Sequence, residues 1–543
     1  MATFFVIITL ICISFFPSYS GHEICKLHND NSLNFNSEYY QQNPLYHSIN
    51  ENWSRKFGGP NSDCGYSVIQ TNDKGYIITG YTESYGEGGC DVWLIKTDSN
   101  GIEEWNKTFG GMDCDIGCSI IQTVKGGYAI LGKTSSYGAG KQDVWLIKTD
   151  SNGTEEWNNT FGGKRGDGGC SLQQTSDEGF VIAGDTQSYS PNFYAWIIKT
   201  DSKGVEQWNT TLKIGNSSYG NSIIETENNE YIITGNTCFN SSCREDIFLV
   251  KLGNEGNEVW NKTFGGTSID EGRSVQQTND GGFIITGYTD TLSDESFELW
   301  LIKTDSDGNE EWNKTFGGSN YEIGNSVRQT NDGGYIIVGI YIGFYSGRSN
   351  ILLIKTDNDG NKEWDMMFGK SEVEDRGESV QQTSDGGYII TGFTGPESGL
   401  NFDVVLLKVA AFDNQRPNQP MITGKTKGRT MIIYDYKIVT TDPEGDDVYY
   451  FIDWDSIGSY TYLIGPYASG EEVTASHYWR YRGDYSVKVM AIDVHGGESD
   501  WTYLEITIPK IMTFNSNFNL ILLLFERFND DFPFFKNILK HMK

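Results

Sequence analysis

A tryptophan returns about once every 52 residues along most of this chain. Trp53, Trp105, Trp157, Trp208, Trp260, Trp312 and Trp364 are separated by 52, 52, 51, 52, 52 and 52 residues. Each sits in a stretch like Glu310–Phe316, EEWNKTF, followed by Gly-Gly or a close variant, a variable loop and a run like SVRQTNDGGYIIVG. A period this regular marks a repeat architecture.

The fifth unit shows the content of a repeat. SVQQT (Ser274–Thr278) leads through NDGG to FIITGYT (Phe283–Thr289). A variable loop leads to ELWLIKTD (Glu298–Asp305), and SDGN leads to EEWNKTF. Short apolar runs bounded by Asp-Gly and Asn-Gly turns are hairpin signals. The absence of any long 3.6-residue apolar period favours an all-β chain. Four antiparallel strands per unit, repeated seven times, predict a seven-bladed β-propeller over residues 51–409. The second strand recurs from Gly75, Gly127, Gly179, Glu230, Gly282, Gly334 and Gly387. The third recurs from Asp91, Asp143, Tyr194, Asp246, Glu298, Asn350 and Asp403. No Trp strand follows the seventh third strand, DVVLLKVA, whereas ENWSRKF (Glu51–Phe57) stands alone ahead of the first unit. The expectation is that this N-terminal strand completes the last blade and closes the ring. The recurring Trp is expected to pack between neighbouring blades.

Charge narrows the function classes. A formal net charge of −32 excludes nucleic acid, whose phosphates would be repelled. Residues 1–20 form an apolar run ending Ser18-Tyr19-Ser20, which predicts a signal peptide and a secreted or cell-surface protein. Of nine cysteines, Cys12 falls in that leader and eight remain, an even number suited to disulfides in an oxidising compartment. Cys238 and Cys243 are close enough to staple one loop; the pairing of the others is not fixed by sequence. Residues 21–50 form a polar, irregular lead-in.

The stretch KTDSNGIEEW (Lys96–Trp105) is similar to the Asp…Gly…Trp motif of quinoprotein-like propellers and, more loosely, to the Asp-box of sialidases. Its spacing departs from both, so the resemblance implies the propeller rather than either activity. The chain as a whole resembles secreted repeat proteins of archaea and bacteria that carry a C-terminal surface-type β-domain. Residues 410–420 shift to Pro, Asn and Gln and form a linker. Residues 421–509 carry TTDPEGDDVYYFIDWD and YSVKVMAIDVHGGESDW, which predict an Ig-like β-sandwich. The pattern resembles polycystic-kidney-disease-type (PKD) and fibronectin-III-like modules. Residues 510–543 hold FNLILLLFERFNDDFPFFKNILKHMK, too short an apolar run to span a bilayer. This amphipathic tail is expected either to contact a membrane surface or sorting partner, or to fold onto the β-domain.

Candidate chemistry is sparse. All six histidines (His22, His28, His47, His477, His495, His541) lie outside the repeats, which excludes Ser-His-Asp and His-ligated zinc chemistry there. Asp63, Asp115, Asp167, Asp270, Glu322 and Asp375 recur four residues before the first strand's Ser, with Ser218 in the fourth unit. Such a ring would bind calcium or a cationic ligand, or each carboxylate would cap its own turn. The turns at Asp305, Asp307, Asp357 and Asp359 resemble calcium loops, but no complete DxDxDG occurs and hairpin turns are favoured. The variable loops carry Tyr85, Tyr137, Tyr189, Phe239, Phe344 and Tyr345. Aromatic side chains there suit glycan or protein recognition, or pack the loops down. Arg165, Arg273 and Arg376 fall near the same face without sharing a repeat position, and Asn106, Asn261 and Asn313 lie in glycosylation sequons. The expected function is a secreted or surface binding and adhesion protein that reads a glycan or a protein. The alternative is a carbohydrate-active enzyme using two top-face carboxylates.

Overall fold

The computed structural model describes residues 51–509 except 191, 240–244, 267, 292–295, 319, 344–346, 370–372, 397–400, 412–413 and 455–460. The leader, lead-in and tail therefore lie outside the described residues, as do Phe344, Tyr345 and Cys243. All the described residues belong to one compact unit.

The protein is all-β: the described residues form nine antiparallel sheets and no helix. Each of the first six repeats folds into its own four-stranded sheet in chain order. The first comprises Asp63–Gln70, Tyr76–Thr82, Asp91–Thr97 and Glu103–Phe109. The seventh sheet takes Val373–Gln382, Tyr388–Pro396 and Asp403–Val409 from the last repeat, and its fourth strand is Glu51–Phe57 from the N-terminal side. Each sheet packs on the next, and the seventh packs on the first, so the order of sheets returns to its start. Phe57, Val68, Trp93 and Ile95 share one core with Ile389, Val404 and Leu406 across that return.

The repeated residues explain this packing. Each Trp meets the aromatic that opens the next sheet's second strand: Trp53 meets Tyr76 at 5.8 Å, Trp157 meets Phe180 at 6.0 Å and Trp312 meets Tyr335 at 5.9 Å. The turn glycine of the next sheet lies on the same indole. Gly101 has φ 73°, and a Cβ there would sit 2.4 Å from Trp53 Cζ3, so both backbone and packing demand Gly. Along the first strands, Ser and Gln bind the neighbouring unit. Ser67 Oγ accepts from Ile120 N–H at 3.3 Å, and Ser379 Oγ accepts from Val68 N–H at 3.4 Å. In the other direction, Gln122 Oε1 accepts from Asn72 N–H at 3.0 Å, and Gln70 Oε1 accepts from Ser384 N–H at 2.8 Å. These bonds satisfy backbone donors that face a neighbouring sheet rather than a ladder partner. The lysine of LIKTD is buried and paired: Lys303 Nζ lies 2.9 Å from Asp280 and 2.8 Å from Glu311. Cys90 and Cys114 form a disulfide that joins the first unit to the second.

Residues 421–508 form two further sheets. Met421–Gly424, Ile433–Val439 and Val473–Tyr478 make one; Thr461–Tyr467, Val448–Asp453, Gly483–Asp493 and Thr502–Ile508 make the other. They share a core built on Tyr436, Ile438, Tyr450, Val489 and Trp479. This module sits where the repeat is interrupted. The seventh sheet has no third-to-fourth hairpin, because its fourth strand comes from the other end of the repeats, so among the described residues no turn glycine lies against Trp364. Instead Asn414 Nδ2 donates to Glu363 O at 3.0 Å and to Asp493 Oδ2 at 2.9 Å, and Lys362 Nζ lies 2.7 Å from Glu498. Trp364 is 1 % exposed, whereas the other six repeat tryptophans are half-buried.

Candidate functional site

The six repeated carboxylates are buried at the junctions between sheets, and Asp63, Asp115, Asp167 and Asp270 clamp the adjoining loop. Asp63 accepts from Gly59 N–H at 2.8 Å and Ser84 Oγ–H at 2.7 Å, and from the Thr82 hydroxyl. Asp167 accepts from Gly163 N–H at 2.8 Å and Ser188 N–H at 3.2 Å, and from the Thr186 hydroxyl. Asp115 and Asp270 accept from Gly111 and Gly266 N–H at 2.9 and 3.0 Å. Burial pushes the Glu322 carboxyl up to about 7, and Asp375 holds the same strand position. In the fourth unit Ser218 does comparable work: Ala195 N–H donates to its Oγ at 3.2 Å, and its hydroxyl donates to Leu212 O at 2.6 Å. These bonds tie the Gly-Gly loop to the second strand, and a neutral Ser suffices where the loop sequence changes. Among the described residues no three His, Cys, Asp or Glu side chains come together as a metal-ligand group. Asp91 and Asp143 each keep one buried oxygen without a hydrogen-bond partner, beside Asp115 and Asp167 respectively. Two carboxylates per junction fall short of the six to eight oxygens calcium prefers. Millimolar calcium is therefore expected to leave the melting temperature unchanged; a rise that EDTA reverses would assign the junctions to cation binding.

The loop-face tyrosines are also anchored. Tyr85 Oη–H donates to Gly58 O at 2.9 Å and its ring lies 5.5 Å from Trp93; Tyr137 Oη–H donates to Gly110 O at 2.7 Å and its ring lies 5.3 Å from Trp145. Tyr189 lies 5.4 Å from Trp196. Each holds its own loop while leaving about half its surface in solvent. They stand at successive units. Asn106 and Asn313 of the sequons accept from Trp93 and Trp300 indole N–H and donate to Glu103 and Glu310. Their repetition thus has a structural cause. Asp305 Oδ1 accepts from Asp307 and Asn309 N–H, which makes that turn an Asx-type hairpin turn.

The position that gathers chemistry is one the motif pattern hides. In all seven first strands the pairing register skips one residue between a Gly and a Ser: Tyr66, Cys118, Cys170, Asn221, Arg273, Asn325 and Glu378. A bulged residue leaves the ladder and its side chain is re-aimed, a device common beside functional sites. The flanking Gly is required by close approach. A Cβ on Gly117 would lie 2.4 Å from Thr79 Oγ1 of the preceding sheet.

These bulge residues contact one another and the second strands. Asn221 Nδ2 donates to Gly272 O at 2.8 Å, and Arg273 donates to Asn325 Oδ1. Asn325 Nδ2 donates to Gly377 O at 2.8 Å and Glu378 Oε2 at 3.2 Å. Arg273 Nε also lies 3.2 Å from Glu271, which accepts from Tyr288 Oη–H at 2.8 Å. Burial pushes the Glu378 carboxyl up to about 7 against the pull of Arg376 and Arg273. Burial and then Glu271 push Glu245 up to about 7. On the other arc, burial acts to lower Lys133, but Cys170, Asp185 and Cys118 hold it above the ordinary lysine range. Burial pushes the Cys170 thiol up to about 12, so it stays protonated at neutral pH. Tyr66 lies 6.0 Å from Tyr81 and 6.4 Å from Phe393. The set runs from a charged arc through a lysine–thiol arc to an aromatic one. Arg273 belongs to it and Arg376 lies near Glu378, whereas Arg165 stands on an exposed loop and donates to Ser190 O at 3.0 Å. A signal for the set was available in the sequence: between constant Gly and Ser, one position changes chemistry from unit to unit.

Fold and site define an all-β repeat protein with an appended β-module. No family model matches the chain, and no curated protein does. Among solved structures, the PKD domain of an M14-like peptidase from Thermoplasmatales archaeon SCGC AB-540-F20 is similar at 47 % identity, over 18 % of this chain and 100 % of that one, with a TM-score of 0.17.

Proposed function

We propose that the chain is an exported binding protein: a seven-bladed β-propeller whose bulge residues recognise a polar ligand, a glycan first of all, joined to an Ig-like module of PKD type. The cyclic order of the sheets and the closing strand Glu51–Phe57 support the propeller. The two-sheet module with one shared core supports the second domain. One observation carries the binding reading. Seven structurally equivalent positions, each skipped by the strand register, hold Tyr, Cys, Cys, Asn, Arg, Asn and Glu, while the scaffold around them repeats. A purely structural position in a repeat would repeat its residue, as the Ser and Gln positions largely do. Convergent amides, an Arg–Glu pair and tyrosines are the groups that bind hydroxyl-rich ligands.

The enzymatic alternative has one observation in its favour. Burial, and then the neighbouring Glu271, push the Glu245 carboxyl up to about 7, the range a general acid at neutral pH requires.

A glycan array with the full-length chain tests the first reading. Selective binding is expected, reduced at least about tenfold by Arg273→Gln when measured well below that variant's melting temperature, because the change also removes the buried pair with Glu271. No glycan bound, or binding that survives both Arg273→Gln and the Tyr85→Ala/Tyr137→Ala pair, would overturn it. Hydrolysis of a bound glycan that Glu245→Gln abolishes would move the assignment to the enzyme.

A further inference from the structure

We propose that the tip of the C-terminal module, the turn through Met431, Ile432 and Ile433 with the neighbouring Tyr478 and Tyr481, docks on an anionic lipid surface.

The sequence there is GKTKGRTMII: three cations followed within two residues by three large apolar side chains. Met431, Ile432 and Ile433 are 66 %, 49 % and 68 % exposed, in a row and at a turn. Tyr478 faces Ile433 across the strand pair, and it and Tyr481 are 48 % and 67 % exposed. Adjacent apolar side chains held in water cost free energy, and such a group marks a contact surface.

The turn is built rather than loose. Met431 has φ 63°, a region a bulky side chain avoids, and its N–H donates to Trp479 O at 2.8 Å. Arg429 N–H donates to Tyr434 Oη at 2.7 Å, and Lys425 Nζ lies 5.4 Å from the centre of the Tyr434 ring. Strain held by specific bonds keeps the three apolar side chains at the apex.

Charge selects the partner. Lys425, Lys427, Arg429, Arg480 and Arg482 are all exposed around the apex, against Asp435 and Asp484. A local cationic excess on a chain of net charge −32 turns this end toward an anionic surface while the remainder is repelled. The patch lies at an exposed turn, which suits shallow insertion between headgroups. Aliphatic residues at an apex with tyrosines beside them and Lys/Arg around them match the layering of an interface. The chain also leaves the module at this end. Gly428 N–H donates to Thr507 O at 3.2 Å, one residue before the last strand ends at Ile508. The sequence beyond contains FNLILLLFERF.

The test is co-sedimentation of the full-length chain with phosphatidylcholine vesicles, alone or containing 30 mol % phosphatidylglycerol. Binding is expected to the anionic vesicles only, and to weaken at 0.5 M salt. The triple variant Lys427→Glu/Arg429→Glu/Arg480→Glu should bind at least about tenfold more weakly with an unchanged melting temperature, since all three side chains are solvated. Ile432→Ser/Ile433→Ser should weaken binding without altering its salt dependence. No binding to anionic vesicles, or undiminished binding by the charge-reversed chain, would overturn the proposal. So would undiminished binding by the Ile432→Ser/Ile433→Ser chain, because the patch would then be a general polyanion or acidic-protein surface.

Discussion

A chain lacking Glu51–Phe57 is expected to lose its cooperative unfolding transition and to recover it when the peptide ENWSRKF is supplied in trans. The strand pairs with Asp403–Val409 from Trp53↔Lys408 to Phe57↔Val404. Phe57 enters the core shared by the first and last sheets, and Trp53 covers Tyr76 of the first sheet. Losing the buried Phe57 and the half-buried Trp53 removes roughly 2–5 kcal/mol of burial, at about 1.5–3 kcal/mol per fully buried large side chain. That is a large part of the ~5–15 kcal/mol that holds a typical domain folded. Deletion also bares the edge of Asp403–Val409 along its length, a template for aggregation. A peptide of the same sequence restores the pairing by strand addition. The measurement is thermal unfolding followed by near-ultraviolet circular dichroism. An unchanged transition in the deleted chain would show that the last sheet needs no fourth strand.

Lowering the pH from 8 to 5 is expected to raise the melting temperature by on the order of 5–10 °C, and further acidification below about pH 4 to lower it. Two sets of carboxylates produce the two limbs. Burial pushes Glu245, Glu322 and Glu378 up to about 7 from an ordinary value of 4.5. Folding therefore favours their protonated forms. Their contribution is complete below 4.5 and is lost as the pH rises through 7. Asp280 behaves in the opposite way. Burial acts against it, but the Thr278 hydroxyl, Lys303 and the Gly282 amide hold it down at about 2. Its contribution is present above 3.8 and is lost as the pH falls toward 2. Asp73, Asp177, Asp332 and Asp385 are shifted the same way by the equivalent Thr, Lys and Gly. They are partly solvated, so each adds modestly. The Glu245→Gln/Glu378→Gln chain should have a flatter slope between pH 5 and 8. A wild-type melting temperature that is level or rising with pH over that range would refute the assignment.

Much of the molecule was legible in the chain. All-β content, four strands to a unit and the displaced N-terminal strand followed from the Trp spacing and the Asp-Gly turns. Those features are local, since turn glycines and short apolar runs carry their own conformational preference. The position of each Trp between sheets was legible too, because a flat apolar side chain on an outer strand has few other places to pack.

The roles of the repeated polar residues were not. Ser67 and Gln70 read as ordinary strand residues until the neighbouring sheet brings Ile120, Ser384 and Gln381 to them. Asp63 reads equally as a ligand or a cap, and only the folded loop shows its oxygens taken by Gly59, Thr82 and Ser84. The Cys90–Cys114 disulfide depends on two loops of different sheets meeting.

The sequence by itself determined the repeating unit, its strands and its turns, because backbone preference and side-chain alternation act over a few residues. Only the tertiary structure decided which of those residues can do chemistry. A one-residue slip in hydrogen-bond register between Gly65 and Ser67, and at each equivalent pair, takes one side chain out of the ladder. No local preference encodes that slip. It is fixed when a first strand must pair with its own sheet while its glycine backbone closes against the sheet before it.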